Sequence, residues 1–326
     1  MDLRVGLIGA GAIASGQADI LQKMPGVRVV AVSGRGADRG RKLADDLGAR
    51  YFTEVPAMLS APVDAISVCT PHAFHCEGVL AAAAAGKHVL VEKPMGCTVD
   101  ECDQMIAACR QAGVKLMVGQ TFRFQAETID IRRLIDEGKL GEPVVAIDVT
   151  AYGNIALTPW YFDQQLARGG LMMSSASHRI YRLHYLVGSP IVEVHARLGT
   201  FAHAIETEDT AVLSLRFANG ALGTIVQSCL DYPRPSELAL QLQGTRGAIR
   251  LTAGGALEYW GAEHAFQTRY EGDNAMQKEL AEFVAAIRDH RPPAVTGEDG
   301  RAVVAVLEAA YRSAKSGRAI AVKEEK

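Results

Sequence analysis

The sequence predicts an α/β fold: a doubly wound parallel sheet at the N-terminal end, then a region dominated by an antiparallel sheet. Three observations carry this. The apolar runs LRVGLIG, VRVVAVSG, AISVCTP, KHVLVEKP and KLMVG recur between Leu3 and Gly119, and near-continuous apolar runs belong to strands buried on both faces. Alanine-rich helical stretches separate them, GADRGRKLADDLGA from Gly36 and HCEGVLAAAAAGK from His75, so each strand returns through a helix and pairs in parallel. After Thr121 one helix, FQAETIDIRRLIDEGKLG, leads into VVAIDVTAYG, VEVHARLGTFA, TAVLSLRF, ALGTIVQSC, LALQLQG and AIRLTA, several joined by glycine turns such as Asn219-Gly220. Two helices, MQKELAEFVAAIRD and GRAVVAVLEAAYRSAKSG, close the chain. The division falls near residue 121, giving domains 1–121 and 122–326.

Composition fits such a pair of domains. The 326 residues are 48% hydrophobic and 22% charged, with a formal net charge of −3. No basic excess points to nucleic acid or an anionic membrane, and no apolar run approaches the ~18–20 residues of a membrane span. The first apolar run leads straight into a glycine turn instead of a signal-peptide cleavage region. Six cysteines without a C-x-x-C pair suit inert thiols in a reduced compartment. A cytoplasmic protein is the expectation.

The first strand runs into Gly9-Ala10-Gly11-Ala12-Ile13-Ala14 and a helix, with the spacing G-x-G-x-x-A. Gly9 permits the tight turn, Gly11 lets backbone approach a pyrophosphate, and Ala14 allows close helix–strand packing. The helix N-terminus, with Ala12 and Ile13 in its first turn, offers N–H groups and partial positive charge to phosphates. This is a dinucleotide-binding Rossmann signature. The second strand ends Val32-Ser33-Gly34-Arg35 with no acid at its tip, where an NAD site usually carries one for the ribose. Ser33, Arg35 and Arg39 instead suit a 2′-phosphate. NADP is favoured, with NAD the alternative.

Val91-Glu92-Lys93-Pro94 ends a buried strand, and ligands of doubly wound sheets lie beyond such carboxyl ends. Lys93 therefore falls at the cofactor crevice, as a candidate proton-transfer group beside a nicotinamide. In SSASHRIYRLHYLVG, read as one helix, Ser174, His178 and Arg182 share a stripe while Ile180, Leu183 and Val187 form an apolar one. His178 thus stands among small side chains off the core face.

In that order GLIGAGAIA, CTPHAFHCEGVLAAAAAGKHVLVEKPMG, VGQTFRF and PWYFDQQLARGGLMMSSASHRIYRLHYLVG resemble the glucose–fructose oxidoreductase / inositol dehydrogenase (Gfo/Idh/MocA) family over essentially the whole chain. The resemblance implies a Rossmann domain joined to an α/β domain with a large open sheet used for homo-oligomers, a homodimer or homotetramer. It also implies oxidation or reduction of sugars, polyols and related hydroxyl compounds with NAD or NADP. It assigns Lys93 to the nicotinamide ribose and substrate hydroxyl, and His178 to proton transfer with it across the two domains. Glu92, Thr70, Pro71, His75, Gln120 and Trp160 go to the cofactor, and Tyr161 and Arg123 to the substrate.

One departure concerns the acids that many members carry four residues before the histidine and three after it. Here these positions are Ser174 and Tyr181. An acid there would raise and orient the imidazole, so His178 is expected to be neutral more readily. With that acid missing, two other readings stay open. One is transient oxidation by tightly held NAD(P) in an elimination or glycoside cleavage; the other is a non-catalytic dinucleotide sensor. Arg123 and Arg182 suit a carboxylate or phosphate on the substrate, whereas Arg179 reads as a surface salt-bridge residue. His72-x-x-His75-Cys76 is too sparse for a metal site, so no metal is expected. Glu206, Glu208 and Asp209 read as a solvated acidic turn.

Overall fold

All five N-terminal apolar runs are strands: β1 (Leu3–Ile8), β2 (Val27–Ser33), β4 (Ala65–Val68), β5 (His88–Glu92) and β6 (Leu116–Gly119). The computed structural model describes residues 2–152, 158–230, 237–272 and 274–322. A further strand, β3 (Arg50–Phe52), pairs with the end of β2; three residues are too few to show a period. All neighbours pair in parallel, in the order β3-β2-β1-β4-β5-β6. The order reverses between β1 and β4, so the crevice at their carboxyl ends is the expected ligand position. The apolar runs are buried as their composition requires: Val5, Leu7, Ile66, Val68, Val89 and Val91 are each at most 1% exposed.

Helices α1 (Ala12–Leu21), α2 (Ala37–Leu47), α3 (Val55–Leu59), α4 (His75–Ala84) and α5 (Val99–Gln111) connect these strands. The alanines of α4 serve close packing, with Ala82 and Ala83 fully buried. The compact unit built on this sheet comprises Met1–Thr121 together with Met276–Arg301. A single division at residue 121 does not anticipate that return. The apolar face of MQKELAEFVAAIRD shows that a helix is covered, and periodicity alone does not say by which core. This helix, α9 in order (Ala275–Arg288), is held to the first unit by Arg288, which donates to Gly26 O at 2.6 Å, and the segment after it by Val118 N, which donates to Val295 O at 3.2 Å.

The second unit comprises Phe122–Ala275 and Ala302–Lys326. It contains α6 (Ala126–Asp136), β7 (Pro143–Tyr152), the short α7 (Gln164–Ala167) and α8 (Ser177–Val187). There follow β8 (Ile191–Gly199), β9 (Thr210–Phe217), β10 (Leu222–Cys229), β11 (Glu237–Gly244), β12 (Gly247–Thr252), β13 (Ala256–Gly261) and β14 (Ala265–Arg269). Most of α10 (Gly297–Ser316) and the two-residue β15 (Ile320–Ala321) complete it. Nine strands form one sheet in the order β14-β13-β12-β11-β7-β10-β9-β8-β15, antiparallel except where β10 lies parallel to β7. Ala146, Asp148 and Thr150 of β7 alternate onto the buried face that α8 packs against. On the opposite face Val212, Leu222 and Trp260 remain 44%, 57% and 43% exposed. Among the described residues no helix is long and apolar enough to cross a membrane.

Candidate active site

The glycine turn is built as its spacing requires. Gly9 has φ +117°, and a Cβ there would lie 2.5 Å from Cys69 O, so both the conformation and the close approach to β4 demand glycine. Its N–H donates to Ser33 O at 2.7 Å, tying the turn to β2. Gly11 caps α1 without a side-chain cap and without an acid in the first turn. A Cβ on Gly11 would meet nothing within 4 Å. The result is an open cradle in front of the first-turn backbone of Ala12 and Ile13, with the positive end of a ten-residue helix behind it. A pyrophosphate fits these groups.

At the tip of β2, Ser33 is only 1% exposed, so its hydroxyl is closed off from the edge where a ribose was expected. Gly34 O accepts from Tyr51 Oη at 3.0 Å. The exposed side chains here include Arg35, whose guanidinium lies 3.2 Å above the Phe74 ring, Asp38 and Arg39. After β4, Thr70 has a buried hydroxyl oxygen without a hydrogen-bond partner, and Pro71 opens a 3₁₀ turn over His72–Phe74.

His75 departs from its expected place at the cofactor. It is fully buried, with Nδ1 2.8 Å from Pro94 O and Nε2 2.9 Å from Thr70 O. Burial pushes the imidazole below its ordinary value. The ring fills the space between the Thr70 loop and the cis Lys93–Pro94 peptide, and as a neutral imidazole it donates to one of the two carbonyls. Among the described residues no three His, Cys, Asp or Glu side chains gather as metal ligands.

Behind Lys93 lies a polar network that the sequence reading missed. Ser67 Oγ donates to Gln17 Oε1 at 2.6 Å, and Gln17 Nε2 donates to Glu92 Oε1 at 2.7 Å. Lys93 N donates to Glu92 Oε2 at 3.3 Å. Burial pushes the Glu92 carboxyl up, against the opposing pull of Lys93. The thiol of the half-buried Cys69 is also pushed up, mainly by desolvation and then by Glu92. Gln120, just beyond β6, is 1% exposed.

The second unit supplies His178 differently from a plain helix. Met172–Ala176 is a π-helical turn, and α8 starts only at Ser177. The wider turn breaks the expected Ser174–His178–Arg182 stripe, and such turns recur at functional sites. Ser174 is 9% exposed and its hydroxyl donates to Gly170 O at 3.0 Å. The His178 ring stacks on Phe122, with centroids 4.6 Å apart and planes at 13°. The Phe122 ring also carries the guanidinium groups of Arg179 and Arg182 at 4.5 and 4.9 Å.

Those arginines correct two expectations. Arg179 is not a surface residue: it is 3% exposed, donates to Tyr152 Oη at 3.1 Å, and lies 3.6 Å from Asp148 Oδ1. Arg182, expected at the substrate, is 7% exposed and bound to Asp148 Oδ2 at 2.5 Å. Two guanidiniums thus share one buried carboxylate. Burial and the neighbouring Arg182 depress the pKa of Arg179 against the pull of Asp148. Arg123 lies over the Tyr185 ring at 4.2 Å. Trp160 and Tyr161 stack on each other at 4.0 Å.

In the acidic turn Glu206 is exposed as expected, but Glu208 and Asp209 are buried. Glu208 accepts from Gly170 N, Met172 N and Tyr311 Oη, each at 2.9 Å, and so holds the entry to the π turn. Asp209 accepts backbone N–H groups of Phe201, Ala202 and His203. Tyr161, Ser174, Thr207, Glu208 and Cys229 line a small pocket beside this turn.

Comparison with known proteins agrees with both units. Residues 3–120 match the family model for an oxidoreductase family with an NAD-binding Rossmann fold. Residues 128–250 match the GFO/IDH/MocA C-terminal domain. The 1,5-anhydro-D-fructose reductase of Ensifer adhaerens is 30% identical, covering 97% of each chain. The myo-inositol 2-dehydrogenase of Thermotoga maritima is 28% identical, covering 99% of each. Among solved structures, the WlbA dehydrogenase of Bordetella pertussis in complex with NADH and UDP-GlcNAcA is 27% identical, with a TM-score of 0.90 over 99% of each chain.

Proposed function

This chain belongs to the Gfo/Idh/MocA family of oxidoreductases, and from that premise we propose that it interconverts a secondary hydroxyl and a carbonyl on a sugar, polyol or related compound. One observation carries the reading: the open Gly9–Ile13 cradle and the Lys93 turn belong to one sheet, at the carboxyl ends of β1 and β5. When bound, the nicotinamide dinucleotide supplies the hydride acceptor or donor.

The chain's own residues bind, orient and move the proton. Gly9, Gly11, Ala12 and Ile13 hold the pyrophosphate, while Thr70, Pro71, Gln120, Glu92 and Trp160 serve the nicotinamide half. Lys93 and His178 handle the proton of the reacting hydroxyl, and Arg123, Tyr161 and Ser174 line the substrate. The Phe122 stack limits how the His178 ring can turn, and an imidazole so held is suited to general acid–base work. With Ser174 and Tyr181 at the positions where many relatives carry acids, transient oxidation followed by elimination is the alternative; it would yield product without accumulated reduced cofactor.

The test is purified protein with NADP or NAD and a panel of sugars, inosose-type ketones and polyols, followed by nicotinamide absorbance at about 340 nm. Substrate-dependent change is expected, larger with NADP because Arg35 and Arg39 offer guanidinium groups to a 2′-phosphate. Arg35→Ala should cost about tenfold in kcat/KM with NADP and little with NAD, the loss of roughly one charged contact. No change with any substrate would defeat the reading. Equal losses with both cofactors would defeat the NADP preference.

The exposed Val212, Leu222 and Trp260 on the open face of the nine-stranded sheet suit a contact between copies, as a dimer or tetramer. Sedimentation equilibrium checks this, with a monomer as the contrary result.

A further inference from the structure

The two serines of the π-helical turn use their hydroxyls differently. Ser174 is 9% exposed and donates its proton to Gly170 O at 3.0 Å. Ser175 is half-buried, and its oxygen lies 3.0 Å from Tyr152 Oη and 3.1 Å from Gln227 Nε2.

The partners decide which groups donate. A guanidinium only donates, so Tyr152 Oη accepts from Arg179 at 3.1 Å. The phenol proton then goes to Ser175 Oγ, the other partner of that hydroxyl among the described residues. Gln227 is 0% exposed, and its amide nitrogen donates to the same oxygen. The reversed amide would leave two N–H groups buried without a partner in place of the one oxygen that is so now. Ser175 Oγ therefore accepts twice, which fills both its lone pairs. Its own O–H has no acceptor among the described residues. The hydroxyl also belongs to the side-chain cluster of His178. Arg179, which anchors Tyr152, lies on the Phe122 ring at 4.5 Å, and His178 stacks on the same ring at 4.6 Å.

We propose that Ser175 is a substrate-binding residue: a hydroxyl locked as a hydrogen-bond donor, which holds one acceptor oxygen of the sugar, polyol or ketone bound beside His178. This rests on reading His178 as a proton-handling group at the substrate. A serine with a free lone pair could turn to suit a donor or an acceptor; this one cannot. Hydroxyl, carbonyl and carboxylate oxygens satisfy it. An ammonium group, or a carbon that has lost its oxygen, does not, and a site built for a hydrogen bond rejects a ligand that cannot make it.

Two measurements on the full-length protein test this. Neutron diffraction from deuterium-exchanged crystals locates the hydroxyl deuterons. The Tyr152 deuteron is expected on the line to Ser175 Oγ, and the Ser175 deuteron directed at neither Tyr152 nor Gln227. A Ser175 deuteron aimed at either partner overturns the proposal, whatever the protein turns over. The second measurement is kcat/KM for wild type and Ser175→Ala, with the best substrate of the sugar and polyol panel and with each of its monodeoxy analogues. Ser175→Ala is expected to cost about tenfold on the parent compound, the worth of one hydrogen bond. On one analogue, already slow with wild type, it should cost nothing further, because the oxygen and the hydroxyl are partners. Losses that multiply on every analogue belong to a merely structural serine and overturn the proposal, as does an unchanged kcat/KM on the parent. If Ser175→Ala does not fold, the deuteron positions decide. No turnover of any panel compound, with the deuterons as expected, defeats the functional reading and leaves the locked donor standing.

Discussion

Replacing Lys93 with methionine is expected to lower kcat by about 10²–10⁴-fold, the usual worth of a positioned acid–base group. The backbone of the turn that presents Lys93 is held by neighbouring residues. His75 packs between Pro94 O and Thr70 O and donates to one of them, and Glu92 is tied to Gln17 and to the Lys93 backbone. Methionine keeps most of the apolar stem, so the melting temperature and retention of the dinucleotide should change little. Steady-state rates at 340 nm, alongside cofactor binding followed by fluorescence, separate the two effects. A matching loss of cofactor affinity would mean that Lys93 only binds.

Asp148→Ala is expected to be the most destabilising single change in the second unit. Arg179 and Arg182 are both nearly inaccessible and share this one carboxylate. Removing one partner of a buried ion pair costs about 3–5 kcal/mol, because the remaining charge stays buried without compensation. For a unit of this size that is roughly a 6–20 °C fall in melting temperature. Replacing Asp148, Arg179 and Arg182 together by leucine and two methionines should recover much of the loss, since apolar side chains of similar volume can stand in for a buried ionic cluster. Calorimetry on the single and triple variants checks both statements. The triple variant should still lose turnover, because both guanidiniums lie on the Phe122 ring against which His178 stacks.

What was legible in the sequence follows from what one dimension records. The Gly9 turn was legible because its φ and its approach to Cys69 O admit only glycine. The buried strands were legible because both their faces are apolar. β3 was missed because three residues show no period. The π turn at Met172–Ala176 was missed because it is a hydrogen-bond pattern with no distinctive side-chain spacing. Glu208 and Asp209 read as solvated because their partners, Gly170 and Met172 N–H and Tyr311 in one case and the Phe201–His203 backbone in the other, are tertiary choices. The partner of Arg182 lies 34 residues away on another element. Glu279 of α9, fully buried with neither carboxyl oxygen hydrogen-bonded, did leave a signal: a carboxylate on the apolar face of an amphipathic helix, between Met276 and Phe283.

If Lys93 and His178 serve one proton transfer, as proposed, a double-mutant cycle on kcat will show it. Groups acting as a unit are strongly non-additive. Lys93→Met, His178→Asn and the double variant should therefore all be slow to a similar degree, within about tenfold of one another. Losses that multiply, or a His178→Asn protein as fast as wild type, would contradict it.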